Sequence, residues 1–497
     1  MRLVNTNLIY SISIFTTISI LFFGCSSCNS NLSKPTADSN LNIEYYKNLQ
    51  ANVKGYLTQG FNKLPMDIVK KTDCFKISKN DKGQIVEVEF VIKNKRENSY
   101  LYGFSVKKIS YTDSSIQTKI FDKYGKQLAQ GKPSKENTIF IKEIMLKDGN
   151  PYGERGLDIF GNSMKGFSEK RFDCDDAGKI IWEWSVDNFE RQLDYANGSN
   201  VLFKKYKYNE NNLLAETGFY KNRNAKVALG GIHAVQYEYN KNGNIVQNKF
   251  IDTMMNLQPD PNSGMAYRVM EYNDFGNMTK QTLLDKNGNM VNNISGYAMQ
   301  ESKFDQFTNN TLSLYFAAND KSVVNTEIGA HGERFVYDEK GDLVLKEYVD
   351  ENIKLTNSTA DGYAYQAMEY NDSGWLVSET YFNKNNTAAE PIWFKAHQKL
   401  NTYYNNGMLQ QTEYFDGRNN HAVIESCACS AVVFKYDSIG NVIEETYLNA
   451  QGKPTKEGKQ GIASRHFRYD VFGDVLLMEL YDASGNEITI NGNRSIQ

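Results

Sequence analysis

The stretch FKYDSIGNVIEETYLNAQGKP, residues 434–454, holds two runs of alternating apolar and polar residues, separated by Asp437-Ser438-Ile439-Gly440-Asn441 and closed by Gly452-Lys453-Pro454. Period-two alternation over runs of this length reads as strand, and Asp, Gly and Asn between two such runs read as a tight turn, so the stretch is one β-hairpin. Nearly the same text recurs from Phe467 as FRYDVFGDVLLMELYDASGNE. Working outward, the turn residue of this signal falls at Gly83, Ser115, Gly178, Asn212, Gly243, Gly276, Thr308, Gly341, Gly374, Gly407, Gly440 and Gly473. Neighbours in that series lie 31 to 34 residues apart, except for one gap of 63 that holds a degenerate unit near residue 146. The chain is about a dozen copies of one 33-residue unit.

Within a unit the register is regular. An aromatic stands four residues before the turn residue, as Tyr239, Tyr272, Phe304, Tyr337, Tyr370, Tyr403, Tyr436 and Tyr469. A second apolar pair follows the turn, such as Tyr381-Phe382 or Tyr447-Leu448, and then a second turn at Gly288, Gly452 or Gly485, with Asn224, Asn386 or Asn419 in its place elsewhere. Gly and Asn adopt left-handed backbone at the least cost, so their exchange points to turn geometry rather than chemistry. The longer loop carries a glycine of its own (Gly231, Gly264, Gly296, Gly329, Gly362, Gly461), followed two residues on by a small residue or a histidine. His233, His331 and His397 share that slot, but about 98 and 66 residues separate them, so it reads as a loop-to-strand position and not as a shared metal site.

A lone hairpin does not persist in water, whereas hairpins stacked in series satisfy one another's backbone. In the unit at Gly440, Val442 and Leu448 fall on one face and Ile443 and Tyr447 on the other, so both faces carry apolar residues and the sheet has to coil or fold over itself. The expected fold is all-β: an elongated or coiled antiparallel β-meander of about a dozen 33-residue hairpin repeats, with a short N-terminal helix. That helix is predicted from Leu41, because Ile43, Tyr46, Leu49, Val53, Tyr56 and Leu57 recur at three- and four-residue spacing ahead of Pro65.

The 56 basic and 59 acidic residues leave a formal net charge of −3, which gives no reason to expect nucleic acid as a partner. A mean hydropathy of −0.57 excludes a multi-span membrane protein. The N-terminus differs in kind: Leu8 to Phe23 is an apolar run too short for a bilayer span, followed by Gly24-Cys25 and a Ser- and Asn-rich segment. This end resembles a bacterial lipoprotein signal, although Phe22 stands where that pattern has Leu. The resemblance implies acylation of Cys25, which is preferred over Cys28. The expected organisation is a signal peptide (1–24), a disordered tether (25–40), a helical cap (41–71) and the repeat body (72–497), lipid-anchored to the outer membrane.

Tyr436-Asp437-Ser438-Ile439-Gly440-Asn441, with weaker forms at Tyr337-Asp338 and Tyr469-Asp470, resembles the bacterial YD-repeat and RHS-like sequences. The resemblance implies cell-surface β-strand arrays, sometimes wound into shells around toxin cargo. The period here is longer and no toxin module is evident after the last repeat, so a cargo shell is not the expected form.

Candidate chemistry is sparse. Cys427-Ala428-Cys429 offers a soft-metal pair with only His421 nearby, and free or separately paired thiols are expected, because a disulfide within one strand would be strained. Turns such as NDFGNM (273–278) lack the carboxylates of a calcium loop. Trp182 and Trp184 read as packing residues, whereas Trp375 and Trp393 fall in turn or loop slots where an indole can stack on a sugar ring. No nucleophile elbow, phosphate loop or His-Glu metal helix occurs. The expected protein is a non-enzymatic envelope lipoprotein without cofactor or metal, binding or scaffolding a protein or glycan partner. The alternative is a toxin-associated or carbohydrate-active component whose catalytic partner lies on another chain.

Overall fold

The computed structural model describes residues 41–51, 58–99, 101–130, 138–164, 168–187, 189–195, 198–261, 263–455, 461–470 and 475–488. Cys25, Cys28, the signal and tether calls and the turn at Gly473 lie outside them. The described residues form 32 strands and one helical turn, Met66–Val69. The strand pairings are antiparallel, and most join strands adjacent in sequence. The chain divides into two compact units, one covering 41–310 and 314–323 and the other 324 onward with 311–313.

The Tyr-Asp-x-x-Gly-Asn signal resolves into bonds. In the second unit, strands Ala431–Tyr436 and Val442–Leu448 pair across a turn in which Gly440 has φ +88°. Asp437 Oδ1 accepts the backbone N–H groups of Ile439 (3.0 Å) and Asn441 (2.8 Å), and Asn441 Nδ2 donates to Asp437 Oδ2 at 2.7 Å. Tyr436 Oη donates 3.0 Å to the Leu409 carbonyl, on the second strand of the preceding copy. Tyr370, Tyr403 and Tyr469 make the same bond to Leu343, Leu376 and Val442. In the first unit Tyr208 and Tyr239 do so to Ile180 and Leu214. The Asp therefore closes its own turn, and the Tyr ties one copy to the copy before it.

The second turns use the same device. Asp252, Asp285, Asp350, Asp416 and Asp482 each accept the N–H of the residue two and four places on. The fourth-residue amide is the main cause holding each carboxyl below its ordinary value. With the folded value below the unfolded one, their stabilisation is complete above about pH 4 and is lost as pH falls through the folded values. Asn keeps the accepting oxygen without titrating, so replacing all five by Asn is expected to flatten the loss of structure below that pH, followed by circular dichroism. An unchanged acid transition would reject the assignment.

Three sequence expectations change. Asn42–Ala51 is a strand, not a helix: it pairs with Asp73–Lys79 (Glu44 opposite Ile77, Tyr46 opposite Phe75) and with Thr58–Lys63. Residues 43, 45, 49 and 51 also alternate, and an available sheet edge decides between the two periods. The only helix among the described residues is the turn after Pro65, Met66–Val69. The degenerate unit near 146 is a complete hairpin, Ile141–Lys147 with Asn150–Leu157, joined by the left-handed pair Asp148 and Gly149. Asn224 does not take the second-turn conformation; Asn222 pairs directly with Ala225.

Within the first unit the sheet returns on itself. The paired strands Asn42–Ala51 and Thr58–Lys63 and the helical turn meet three successive first turns about 200 residues later, through Asn62 Nδ2 to Asn244 Oδ1 (2.8 Å), Asn48 Nδ2 to the Gly276 carbonyl (3.1 Å) and Asn309 Nδ2 to the Lys71 carbonyl (3.1 Å). The Thr72 and Thr308 hydroxyls lie 3.0 Å apart, and Phe275 packs on the buried cluster of Leu64, Ile68, Val69, Cys74 and Val91.

Candidate functional site

Both faces of the strands carry apolar residues, yet the more buried face also carries a polar seam where successive copies join. In the second unit Lys346 opposes Gln366, Glu379 opposes Lys399, Thr412 opposes Val432 and Glu445 opposes Arg465. Glu379 and Lys399, 4% and 11% exposed, form an ion pair at 3.0 Å, and Gln366 Nε2 adds a bond to Glu379 at 3.3 Å. Lys346 meets the fully buried Glu333 at 2.9 Å. Tyr348, Tyr381, Tyr414 and Tyr447 border the seam, all buried. Burial pushes the Tyr381 hydroxyl well above its ordinary value and the Tyr414 hydroxyl up to about 12. In the first unit the buried Glu183 sits 3.6 Å from Lys170 and 3.8 Å from Lys204, and accepts bonds from the Tyr195 and Tyr206 hydroxyls. These charges are neutralised inside the fold, so the seam is structural: it holds copy to copy.

The loop slot behaves as its glycines imply. Gly231, Gly264, Gly296, Gly329, Gly362 and Gly461 all have positive φ, and Lys395 and Ala428 take the same conformation where glycine is absent. His233 is buried with Nδ1 3.0 Å from the Val227 carbonyl, and the His397 ring lies edge-on to Phe382 at 5.1 Å. His331 Nδ1 lies 3.8 Å from the Glu351 carboxylate, so the three histidines have separate partners. Among the described residues no group of three or more His, Cys, Asp or Glu is placed to hold a metal.

Cys427 and Cys429 form a disulfide, against the expectation of separate thiols. The objection to it concerned an extended strand, and the pair instead flanks the left-handed Ala428 in the loop before Ala431–Tyr436. Both sulfurs belong to the packed interior with Ile424, Phe434 and Ile462.

Trp375 and Trp393 are not brought together. They sit at opposite ends of the strand Leu376–Phe382, whose seven residues span about 23 Å. Trp375 is half-buried, its ring 5.3 Å from that of Tyr403. Trp393 is 46% exposed beside Ile392, itself 51% exposed, and its ring rests on Phe394 (5.3 Å) and edge-on to Tyr381 (6.4 Å). Pro391 accepts the N–H groups of Phe394 and Lys395, and Ile392 donates its own to the Asp361 carbonyl, which fixes the loop from both sides. The result is one apolar knob, fixed by backbone bonds, with its indole about half exposed. It suits stacking or apolar contact. Trp182 and Trp184 pack against Phe203, with the Arg223 guanidinium across all three rings.

No family model and no curated protein matches the chain. Solved structures do. The crystal structure of TcdB2-TccC3-Cdc42 matches over 85% of this chain and 24% of its own at 10% identity, with a TM-score of 0.33. The Photorhabdus luminescens Tc holotoxin pore matches over 88% and 25% at 12% identity, with a TM-score of 0.25. A putative 6-phosphogluconolactonase from Bacteroides fragilis matches over 72% and 98% at 13% identity, with a TM-score of 0.12. The chain spans about a quarter of the length of the first two, and at these scores the likeness carries no argument about architecture or activity.

Proposed function

We propose that the chain is a lipid-anchored cell-envelope protein, held through Cys25, whose hairpin array presents a non-enzymatic surface to a protein or glycan partner. One observation carries the reading: the Tyr, Asp, Gly and Asn of the repeat motif are all consumed by turn closure and copy-to-copy bonds, while the Ile392-Trp393 knob is held rigid and left open. The apolar run ahead of Gly24-Cys25 supports the tether and the envelope address. The resemblance of Tyr436-Asp437-x-x-Gly440-Asn441 to RHS-like sequences supports a second reading, a toxin-associated or carbohydrate-active component whose catalytic partner is on another chain.

Two substitutions in the full chain separate tether from surface. Cys25→Ala is expected to release the protein from the membrane fraction without changing what it binds. Trp393→Ala is expected to keep the tether and weaken binding on a glycan array or to an envelope partner by about five- to tenfold, the worth of roughly 1 kcal/mol of aromatic contact. Trp375→Ala should cost less affinity, because that ring lies on Tyr403. Undiminished binding by Trp393→Ala would discard the knob as the contact.

A further inference from the structure

Three second turns of the first unit carry large, exposed apolar side chains at their tips. The third residue of the five-residue turn is Phe160 in 158–162, Phe189 in 187–191 and Met254 in 252–256, and these are 70%, 77% and 80% exposed. The turn does not require them. It is closed by the side chain of its first residue, Asp158, Asp187 or Asp252, and by a left-handed fourth residue, Gly161, Glu190 or Met255. In other copies the same third position holds Asn287, Asn352, Asn385, Arg418 or Ser484. Identical backbone with a polar tip elsewhere makes the apolar tips a separate choice of sequence.

Each apolar tip follows the second strand of its hairpin (Asn150–Leu157, Ile180–Val186, Ile245–Ile251), so all three lie on one edge of the unit's sheet, with successive hairpins about 10 Å apart. Among the described residues the first turns of this unit, on the opposite edge, expose no large apolar side chain. Cations stand beside two of the three tips. The Arg191 guanidinium, 73% exposed at its side chain, lies 5.1 Å over the Phe189 ring. The turn between Phe189 and Met254 exposes Lys221, Arg223 and Lys226, and Lys226 Nζ reaches the Thr253 carbonyl at 3.4 Å. Asp187 accepts two backbone amides at Oδ1 and the Arg191 guanidinium at Oδ2 (2.7 Å), and Glu190, projecting from the same turn, is paired with Arg171 at 2.6 Å, so among the described residues the cations of this edge without a carboxylate partner are Lys221 and Lys226.

We propose that this edge of the first unit rests on a lipid surface, with Phe160, Phe189 and Met254 among the acyl chains and Lys221 and Lys226 at anionic headgroups. At such exposure each tip projects alone instead of lining a concavity. A protein partner would need a separate pocket for each, whereas an acyl phase accepts any apolar tip at any spacing, and flanking cations add attraction to anionic lipid. The inference does not depend on acylation of Cys25, which would only bring the edge close.

The test places an indole at the tips of the full chain. Phe160→Trp, Phe189→Trp and, on the opposite edge, Asn211→Trp are each mixed with excess vesicles of phosphatidylethanolamine and phosphatidylglycerol, with and without bromine on the acyl chains. The added fluorescence at 160 and 189 is expected to shift to the blue and to be quenched by the brominated lipid, and that at 211 to stay as in water. If the indoles at 160 and 189 also report water, the edge faces a protein or solvent and the proposal is overturned. Equal quenching at 211 overturns it too, because contact would then not be specific to the edge.

Discussion

Lys399→Met lowers the stability of the second unit by about 3–5 kcal/mol, the usual cost of stranding one member of a buried ion pair. The remaining Glu379 carboxylate, 4% exposed, keeps Gln366 but loses its only counter-ion among the described residues. The adjacent copy supplies the control, since its seam position is the uncharged pair Thr412 opposite Val432. Replacing both residues, as Glu379→Thr with Lys399→Val, should therefore recover most of the loss. Urea unfolding read by tyrosine fluorescence reports all three chains. If Lys399→Met unfolds at the same urea concentration as the parent, the seam does not hold copies together.

Gly329→Ala is expected to cost about 2–5 kcal/mol: about 1–2 for an L-residue in the left-handed region and about 1–3 for the overlap its Cβ creates. Gly329 has φ +61°, and a Cβ there would meet the backbone nitrogens of Thr359 (2.6 Å) and Ala360. That contact is with backbone, which cannot swing away, and the Thr359 N–H already donates to the Gly329 carbonyl at 3.0 Å. Gly461→Ala is the paired measurement, because Gly461 occupies the same slot with φ +78° and a Cβ there meets nothing within 4 Å among the described residues. Only the first cost applies there. Equal losses in thermal denaturation at the two sites would show that the loops of neighbouring copies do not lean on each other as the structure has them.

The repeat was legible because its marks are local. A left-handed residue and an Asx-closed turn are decided within five residues, so Gly243, Gly341 or Asp437 announce themselves without reference to the rest of the chain. The same rule explains the misses. Ile353 and Met255 take the left-handed conformation where no Gly or Asn signals it, and the surrounding turn imposes it. Residues 42–51 satisfy helical and strand periods alike, and the partner that decides, Asp73–Lys79, lies beyond any local window. The seam was hidden because Glu333, Glu379 and Lys399 look like a solvated face until their cross-strand partners are known. Of the two tryptophans singled out, only Trp393 is open, since the exposure of Trp375 was settled by Tyr403, a residue of the next copy.

The clasp of residues 42–72 onto the turns at Gly243, Gly276 and Thr308 also sets an order of events in time. A chain synthesised amino end first delivers Phe61, Asn62 and Leu64 long before the turns that receive them, and the Phe61 ring finds its seat against Gly243 only after some 180 further residues have followed. Contacts of such sequence separation form slowly. The leading strands therefore wait longest for their partners, and their apolar residues stay uncovered until the turns at Gly243, Gly276 and Thr308 have been made.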